Sequence, residues 1–288
     1  MTGERNGSPI FYPVGAPADP LRLDPALVER WLVAFLKDEI VRRRGMAKAV
    51  IGISGGVDSA VVAFLCAKAL GPNSVIGVRM PYATSSKQSL GHGGLVIAQT
   101  GIKDLVVNIS DAVDGYLRLE PDASQRRRGN VMARVRMVVL FDQAAKCAGL
   151  PIGTGNKSER MLGYFTWHAD DSPPINPIGD LFKTQVWQLA KHLGVPRVIV
   201  EKPATADLIR GQTDEDDLGI SYERADRILH LLLRGYTGAD ILDRGFERAD
   251  VEIVSAKVNA THWKRHLPTN AVVSETAINE FYLRPVDY

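Results

Sequence analysis

The chain is expected to form an α/β fold: a doubly wound parallel sheet flanked by helices, with a helical C-terminal part. Three observations carry this expectation. Short β-branched runs alternate with longer segments of helical periodicity between residues 47 and 153. The runs are apolar throughout, as strands covered on both faces must be. Ser54, Arg79 and Thr154 each come at or just after the end of such a run, and open α/β sheets bind ligands beyond the carboxyl ends of their strands.

Along the chain, residues 1–20 carry Gly3, Gly7, Pro9, Pro13, Gly15, Pro17 and Pro20 and read as an irregular arm. A helix over 25–43 presents Leu27, Trp31, Phe35 and Ile40 on one face, and Gly45 stops it. Strands are expected at 47–53, 74–80, 104–109 and 149–153, with helices at 59–70, 87–100 and 129–148 between them. Beyond residue 180 the period turns to that of helices: 183–193 and 222–233 are amphipathic, and shorter pieces follow to about 259. The organisation expected is an arm (1–20), a single domain (21–270) and an extended tail (271–288).

At 288 residues and 31.5 kDa the chain is ample to bury a core, and 24% charged residues suit a soluble globular protein. A net charge of +2 gives no field to steer nucleic acid, which excludes that class of partner. The run Arg126-Arg127-Arg128 is the local exception and reads as a solvated surface loop. Cys66 and Cys147 fall inside apolar helical patterns and read as small core residues rather than a disulfide or metal pair. The N-terminus shows no charged segment followed by an apolar run, and no apolar run approaches the ~20 residues that span a bilayer. A cytoplasmic protein without membrane contact is expected.

Residues 51–60 read Ile51-Gly52-Ile53-Ser54-Gly55-Gly56-Val57-Asp58-Ser59-Ala60: a strand, a glycine turn and a helix start. Glycines let the backbone turn tightly and approach a ligand, and the free N–H groups of the helix N-terminus favour an anion. The spacing is neither that of the Walker loop nor that of the dinucleotide fingerprint. Asp58 stands where a lysine would be, which makes sense if the acid holds magnesium against a polyphosphate. Residues 153–159 repeat the design, with Thr154 as a hydroxyl donor and Glu159 as a second carboxylate able to share the cation. On its own, this second segment reads equally as a helix cap with a first-turn Glu.

The first loop resembles the SGG(x)DS pyrophosphate loop of the ATP pyrophosphatase superfamily, and the chain as a whole resembles ammonia-dependent NAD synthetase. The resemblance runs from about 25 to 268 through dispersed blocks: 78–82, 129–137, 163–166, 177–185, 202–208, 214–222 and Lys264-Arg265. It implies an ATP pyrophosphatase-type fold and a two-step amidation. ATP adenylates the carboxylate of deamido-NAD, releasing pyrophosphate, and ammonia then attacks the acyl-adenylate. It further implies that Ser54, Gly55, Gly56, Val57, Asp58, Ser59, Arg79, Thr154, Lys183 and Thr205 contact ATP, and that Asp58 and Glu159 hold Mg2+. Lys183 is implied to stabilise the transferring phosphate with Asp58 beside it. A homodimer binding its dinucleotide across the interface is implied too, with ammonia taken free or from a separate donor protein, since no glutaminase segment is visible.

On the substrate side, Arg134 and Lys264 match deamido-NAD contacts, while other positions depart from the family pattern. Trp167 replaces an expected lysine, Pro174 an aspartate and Trp263 a histidine, and Glu39 stands where a tyrosine is common. Indole for ammonium removes a charge-assisted bond and adds a flat apolar surface. Two readings follow: the usual dinucleotide held by other residues, or an amide synthase of the same mechanism acting on a different carboxylic acid. The 207–217 segment, acidic and glycine-bearing, reads as a mobile loop of the kind that excludes water from an adenylate, and the sequence leaves open whether it closes over the site.

Overall fold

The computed structural model describes residues 19–205, 213–266 and 269–273. Residues 1–18 of the expected arm, 207–212 of the 207–217 loop and 274–288 of the expected tail lie outside the described residues, as do 206, 267 and 268.

Four parallel strands, β1 (Ala49–Gly52), β2 (Val75–Arg79), β3 (Lys103–Val106) and β4 (Leu150–Ile152), form one sheet in the order β3-β2-β1-β4. The chain therefore winds outward from β1 to β3 and then returns to the other side of β1, as the doubly wound expectation required. The direction reverses between β1 and β4, and that switch point is where such sheets open a crevice.

The helices are α1 (Pro25–Lys37), α2 (Val57–Leu70), α3 (Lys87–Thr100), α4 (Ser110–Leu117), α5 (Gln125–Lys146), α6 (Lys157–Leu162), α7 (Lys183–Leu193), α8 (Arg197–Val200), α9 (Asp214–Leu218), α10 (Tyr222–Leu233), α11 (Gly238–Leu242) and α12 (Arg248–Ala260). Alternation along β1 sorts its side chains between the two layers. Ala49, Ile51 and Ile53 enter the large core shared by α1, α2 and α7, while Val50 meets Val78 of β2 with Leu140 and Ala144 of α5 on the other face. A third cluster joins Tyr222, Ile228 and Leu229 of α10 to Leu162, Phe182, Ile241 and Val254, fastening the C-terminal helices to α6 and α7.

Several boundaries differ from expectation. The segment 38–43 continues α1 as a π-helical turn before Gly45 ends it at φ +63°. The third strand stops at Val106, because the Asn108 side chain accepts from the Ser110 amide at 2.8 Å and starts the unforeseen α4. α5 begins at Gln125, capped by Ser124, so the arginine run lies in a first helical turn rather than a loop. Three cations oppose the dipole there, and the structure offsets this locally. Arg127 pairs with Glu120 at 2.8 Å, and Arg128 donates to the carbonyls of Ala123 and Pro121. Cys66 is buried in the main core, where burial pushes its thiol pKa upward, and Cys147 is half-buried; both are free thiols. Among the described residues no helix is long and apolar enough to cross a membrane.

Candidate active site

The first loop leaves β1, turns at Gly55 and enters α2 beside Gly56. Gly55 holds φ +79°, and a Cβ there would sit 2.1 Å from the carbonyl oxygen of Ser89 on α3. No side chain fits that contact. The Ser54 and Ser59 hydroxyls lie 3.0 Å apart, the Gly56 amide donates to Ser54 Oγ at 3.2 Å, and Ser59 Oγ donates to the Gly56 carbonyl at 3.1 Å. The loop is thus held in shape by its own hydroxyls. α2 has no side-chain cap, so its first amides remain available to an anion.

The second loop leaves β4 at the neighbouring strand end and enters α6 through a capping box. Asn156 Oδ1 accepts from the Glu159 amide at 2.9 Å, and Glu159 Oε2 accepts from the Asn156 amide at 3.2 Å. Glu159 is therefore the first-turn cap that the local sequence allowed, and its other oxygen faces the site. The Asn156 amide group also donates to Asp58 Oδ1 at 2.9 Å, tying the two loops together across the switch point.

Lys183 closes the constellation. It opens α7 yet is only 2% exposed. A buried cation at a helix N-terminus needs compensation, and Nζ finds it in Asp58 Oδ2 at 2.6 Å and Glu159 Oε1 at 3.2 Å. Its ammonium also lies 5.3 Å from the Tyr222 ring centre. Burial opposes the charge of Lys183, but Asp58, Glu159 and Asp214 outweigh it and hold its pKa above the usual lysine value. Burial, partly opposed by Lys183, raises the carboxyl of Glu159 above the usual range. The backbone beneath is fixed by Ser158 Oγ, which accepts from the Lys183 amide at 2.8 Å and donates to buried Asp226. Asp226 in turn accepts from the Thr184 amide and hydroxyl.

Asp214, at the start of α9, is 4% exposed and accepts from the Tyr222 hydroxyl at 3.3 Å. Its Oδ1 has no hydrogen-bond partner among the described residues. Asn156, Ser158, Asp214 and Asp226 belong to this network of contacts, and sequence reasoning did not single them out. Only Asn156 had a local signal, the asparagine three residues before Glu159 at a helix start.

Asp58, Asn156, Glu159, Lys183 and Asp214 line one cleft of about 310 Å³ at the switch point, with Ser158 and Asp226 outside its lining. Ser54, Gly56, Val57, Asp58, Ser59, Arg79, Thr154, Glu159, Lys183 and Thr205 all border it, with Gly55 between two of them in the turn. Arg79 does so with its guanidinium already engaged: Nε donates to Asp104 Oδ1 at 3.0 Å and Nη2 to Oδ2 at 2.5 Å. Two carboxylates sharing one ammonium show that a single cation suits the gap between Asp58 and Glu159. Among the described residues no cluster of three or more metal-binding side chains occurs. This donor set fits magnesium, which takes one or two carboxylates and fills its remaining positions with phosphate and water.

The substrate-side candidates gather elsewhere. Arg134, Trp167, Pro174, Trp263 and Lys264 do not border the cleft, although Phe165, Thr166 and Pro173 do. They organise the outer side of the same segment. Arg134 Nη2 donates to the Trp167 carbonyl at 3.1 Å, and the Trp167 and Trp263 rings meet edge to face with centroids 5.1 Å apart. Lys264 Nζ donates to the carbonyls of Gly163 (2.6 Å) and Phe165, and stands 4.2 Å from the Phe165 ring centre. Trp263 is half-exposed, and Pro174 is exposed. Glu39, the departure in the first helix, is tied to Arg43 and Arg44.

Comparison with known proteins gives a consistent result. The family model described as NAD synthase matches residues 28–268. A protein of Trichlorobacter lovleyi named NH(3)-dependent NAD(+) synthetase is 47% identical over 261 residues, covering 90% of this chain and 95% of its own. Among solved structures, NMN synthetase from Francisella tularensis superposes with a TM-score of 0.77 at 30% identity, covering 87% of this chain and 99% of its own. The NH3-dependent NAD synthetase of Campylobacter jejuni gives 0.74 at 27% identity, covering 87% of this chain and all of its own.

Proposed function

The chain belongs to the NAD synthase family, and from that premise we propose that it converts deamido-NAD, ATP and ammonia into NAD+, AMP and pyrophosphate. The observation that carries this reading is the buried Lys183 ammonium held between Asp58 and Glu159 at the mouth of an uncapped helix N-terminus. A carboxylate resists ammonia until its oxygen becomes a good leaving group. Adenylation supplies one: a carboxylate oxygen bonds to the α-phosphorus, and the bond from that phosphorus to the bridging oxygen breaks toward pyrophosphate. Ammonia then forms the C–N bond as AMP departs.

Each residue has a part in that sequence. Amides at the start of α2 and the hydroxyls of Ser54 and Ser59 receive the phosphates, with Thr154 and Thr205 on the facing walls. Lys183 offsets the charge that gathers at the α-phosphate in the transition state. Asp58 and Glu159 would hold a magnesium ion, which when bound neutralises phosphate charge. Arg79 acts within its pair with Asp104, so it fixes the β2 end of the cleft and adds little net charge.

Residues 21–270 serve as one catalytic domain in this reading. Exposed Trp31 on α1 and Val138 and Phe141 on α5 supply apolar surface that the partner of a homodimer would cover. A cytoplasmic setting accords with the free thiols of Cys66 and Cys147. The changed positions Trp167, Pro174 and Trp263 stand outside the cleft lining. They leave the machinery that activates the acid untouched, and the likeness to proteins named NH(3)-dependent NAD(+) synthetase supports the usual dinucleotide as substrate. The test supplies purified protein with ATP, magnesium and ammonium, and offers deamido-NAD or nicotinate mononucleotide as the acid. NAD+ formed in step with AMP is expected. AMP release with nicotinate mononucleotide alone would overturn the assignment of the acid.

A further inference from the structure

Resting on the NAD synthase reading, we propose that Lys202 is a second phosphate-binding cation of the cleft, one that receives the pyrophosphate half of ATP and holds it as it leaves. The lysine follows α8 and borders the cleft together with the Ser54–Gly56 turn. Its Nζ donates to Ser89 Oγ at 2.9 Å. Ser89 is the residue of α3 whose carbonyl oxygen presses against Gly55. The ammonium is thus joined to the glycine turn through one buried residue.

Its electrostatic state sets it apart. The charges of Lys183 and Arg79 are each matched by carboxylates within the fold. Lys202 instead has a neutral hydroxyl as its partner, and among the described residues no carboxylate pairs with it. Ser86 Oγ also donates to Ser89 Oγ, at 2.9 Å. Two donors converging on one hydroxyl position the lysine without cancelling its charge. Nearby His92 is buried against the Gly55 backbone. Burial first, and the Lys202 charge second, lower its pKa.

A positive group here has a chemical purpose. In adenylation the electron pair of the breaking P–O bond leaves with pyrophosphate, whose charge grows on the atoms farthest from the acid. Lys183 is committed to Asp58 and Glu159. Lys202 would hold the leaving group through a charge-assisted contact.

The experiment measures binding of inorganic pyrophosphate, with magnesium, to the full chain by calorimetry, alongside pyrophosphate inhibition of NAD+ formation. Lys202→Gln is expected to weaken both by about ten- to a hundredfold, the loss of a charge-assisted contact. The KM for deamido-NAD should not move. Lys202→Arg should retain binding within a few-fold, and Ser89→Ala, which frees the lysine without removing charge, should weaken it only a few-fold. A purely structural lysine would lower the melting temperature in the Gln variant and leave pyrophosphate affinity unchanged; that result overturns the inference while wild-type NAD+ synthesis keeps the functional reading. Wild-type protein that forms no NAD+ overturns both.

Discussion

Replacing Lys183 by alanine should expose how the two carboxylates and the ammonium depend on one another. In the wild-type fold the lysine is 2% exposed, with Nζ at 2.6 Å from Asp58 and 3.2 Å from Glu159. Its loss leaves those carboxylates and Asp214 facing one another. Breaking a buried pair in this way costs about 3–5 kcal/mol, and because both acids keep some solvent access the lower end, ~3 kcal/mol, is expected here. In a chain of this size that lowers the melting temperature by roughly 6–12 °C. The loss should depend on pH in a definite direction. Burial raises the Glu159 carboxyl even with the lysine present, so the folded state holds its proton more tightly than the unfolded state. For such a group, stability falls as pH rises from the ordinary carboxylate range toward the raised value. Without Lys183 the raised value climbs further, so the deficit should be larger at pH 8 than at pH 6. Magnesium should stabilise the variant more than the wild type, because a cation can take the vacated place between the acids. Urea denaturation followed by circular dichroism, at both pH values and with or without magnesium, measures all three effects. A Lys183→Ala protein as stable as wild type at pH 8, and indifferent to magnesium, would refute the reasoning.

Three further variants probe separate parts of the site. Gly55→Ala drives a Cβ to 2.1 Å from the Ser89 carbonyl at φ +79°; a loss of at least ~2 kcal/mol in urea melts and failure to bind ATP are expected, given the strain of that backbone region. Asn156→Ala removes the cap of α6 and the bond that orients Asp58, so about 1 kcal/mol of stability and about tenfold in magnesium affinity should be lost, the latter read by titration. The paired change Trp167→Ala and Trp263→Ala should raise the KM for deamido-NAD and leave the KM for ATP alone, since the indoles pack on each other outside the cleft; equal rises in both constants would show that they merely support the fold.

Much of the ATP side was legible because its residues sit at strand ends, where spacing along the chain translates directly into position in space. The 51–60 string required a turn at Gly55 and a free helix N-terminus, and both are present. Glu159 looked like either a cap or a ligand, and geometry explains the tie: one of its oxygens caps α6 while the other meets Lys183. What stayed hidden depends on contacts between distant segments. Asn156 reaches Asp58 across 98 positions, and Ser158 reaches Asp226 across 68. No local pattern marks such partners. Lys202 lay in the 202–208 block with no role of its own, because only the fold brings Ser89 against it. On the substrate side, the alignment of Trp167 and Trp263 with dinucleotide contacts was readable, but the direction in which their side chains turn was not. The short α4 escaped because its buried Val113 and Leu117 repeat only twice, too briefly for a helical period to stand out.

The central claim is that the acid is activated by taking AMP onto its own oxygen. Deamido-NAD labelled with oxygen-18 in its carboxylate tests this most directly, by mass spectrometry of the products formed with ATP, magnesium and ammonium. The mechanism predicts one labelled oxygen in AMP for each NAD+ made and none in pyrophosphate. Label in pyrophosphate or inorganic phosphate, with unlabelled AMP, would contradict it.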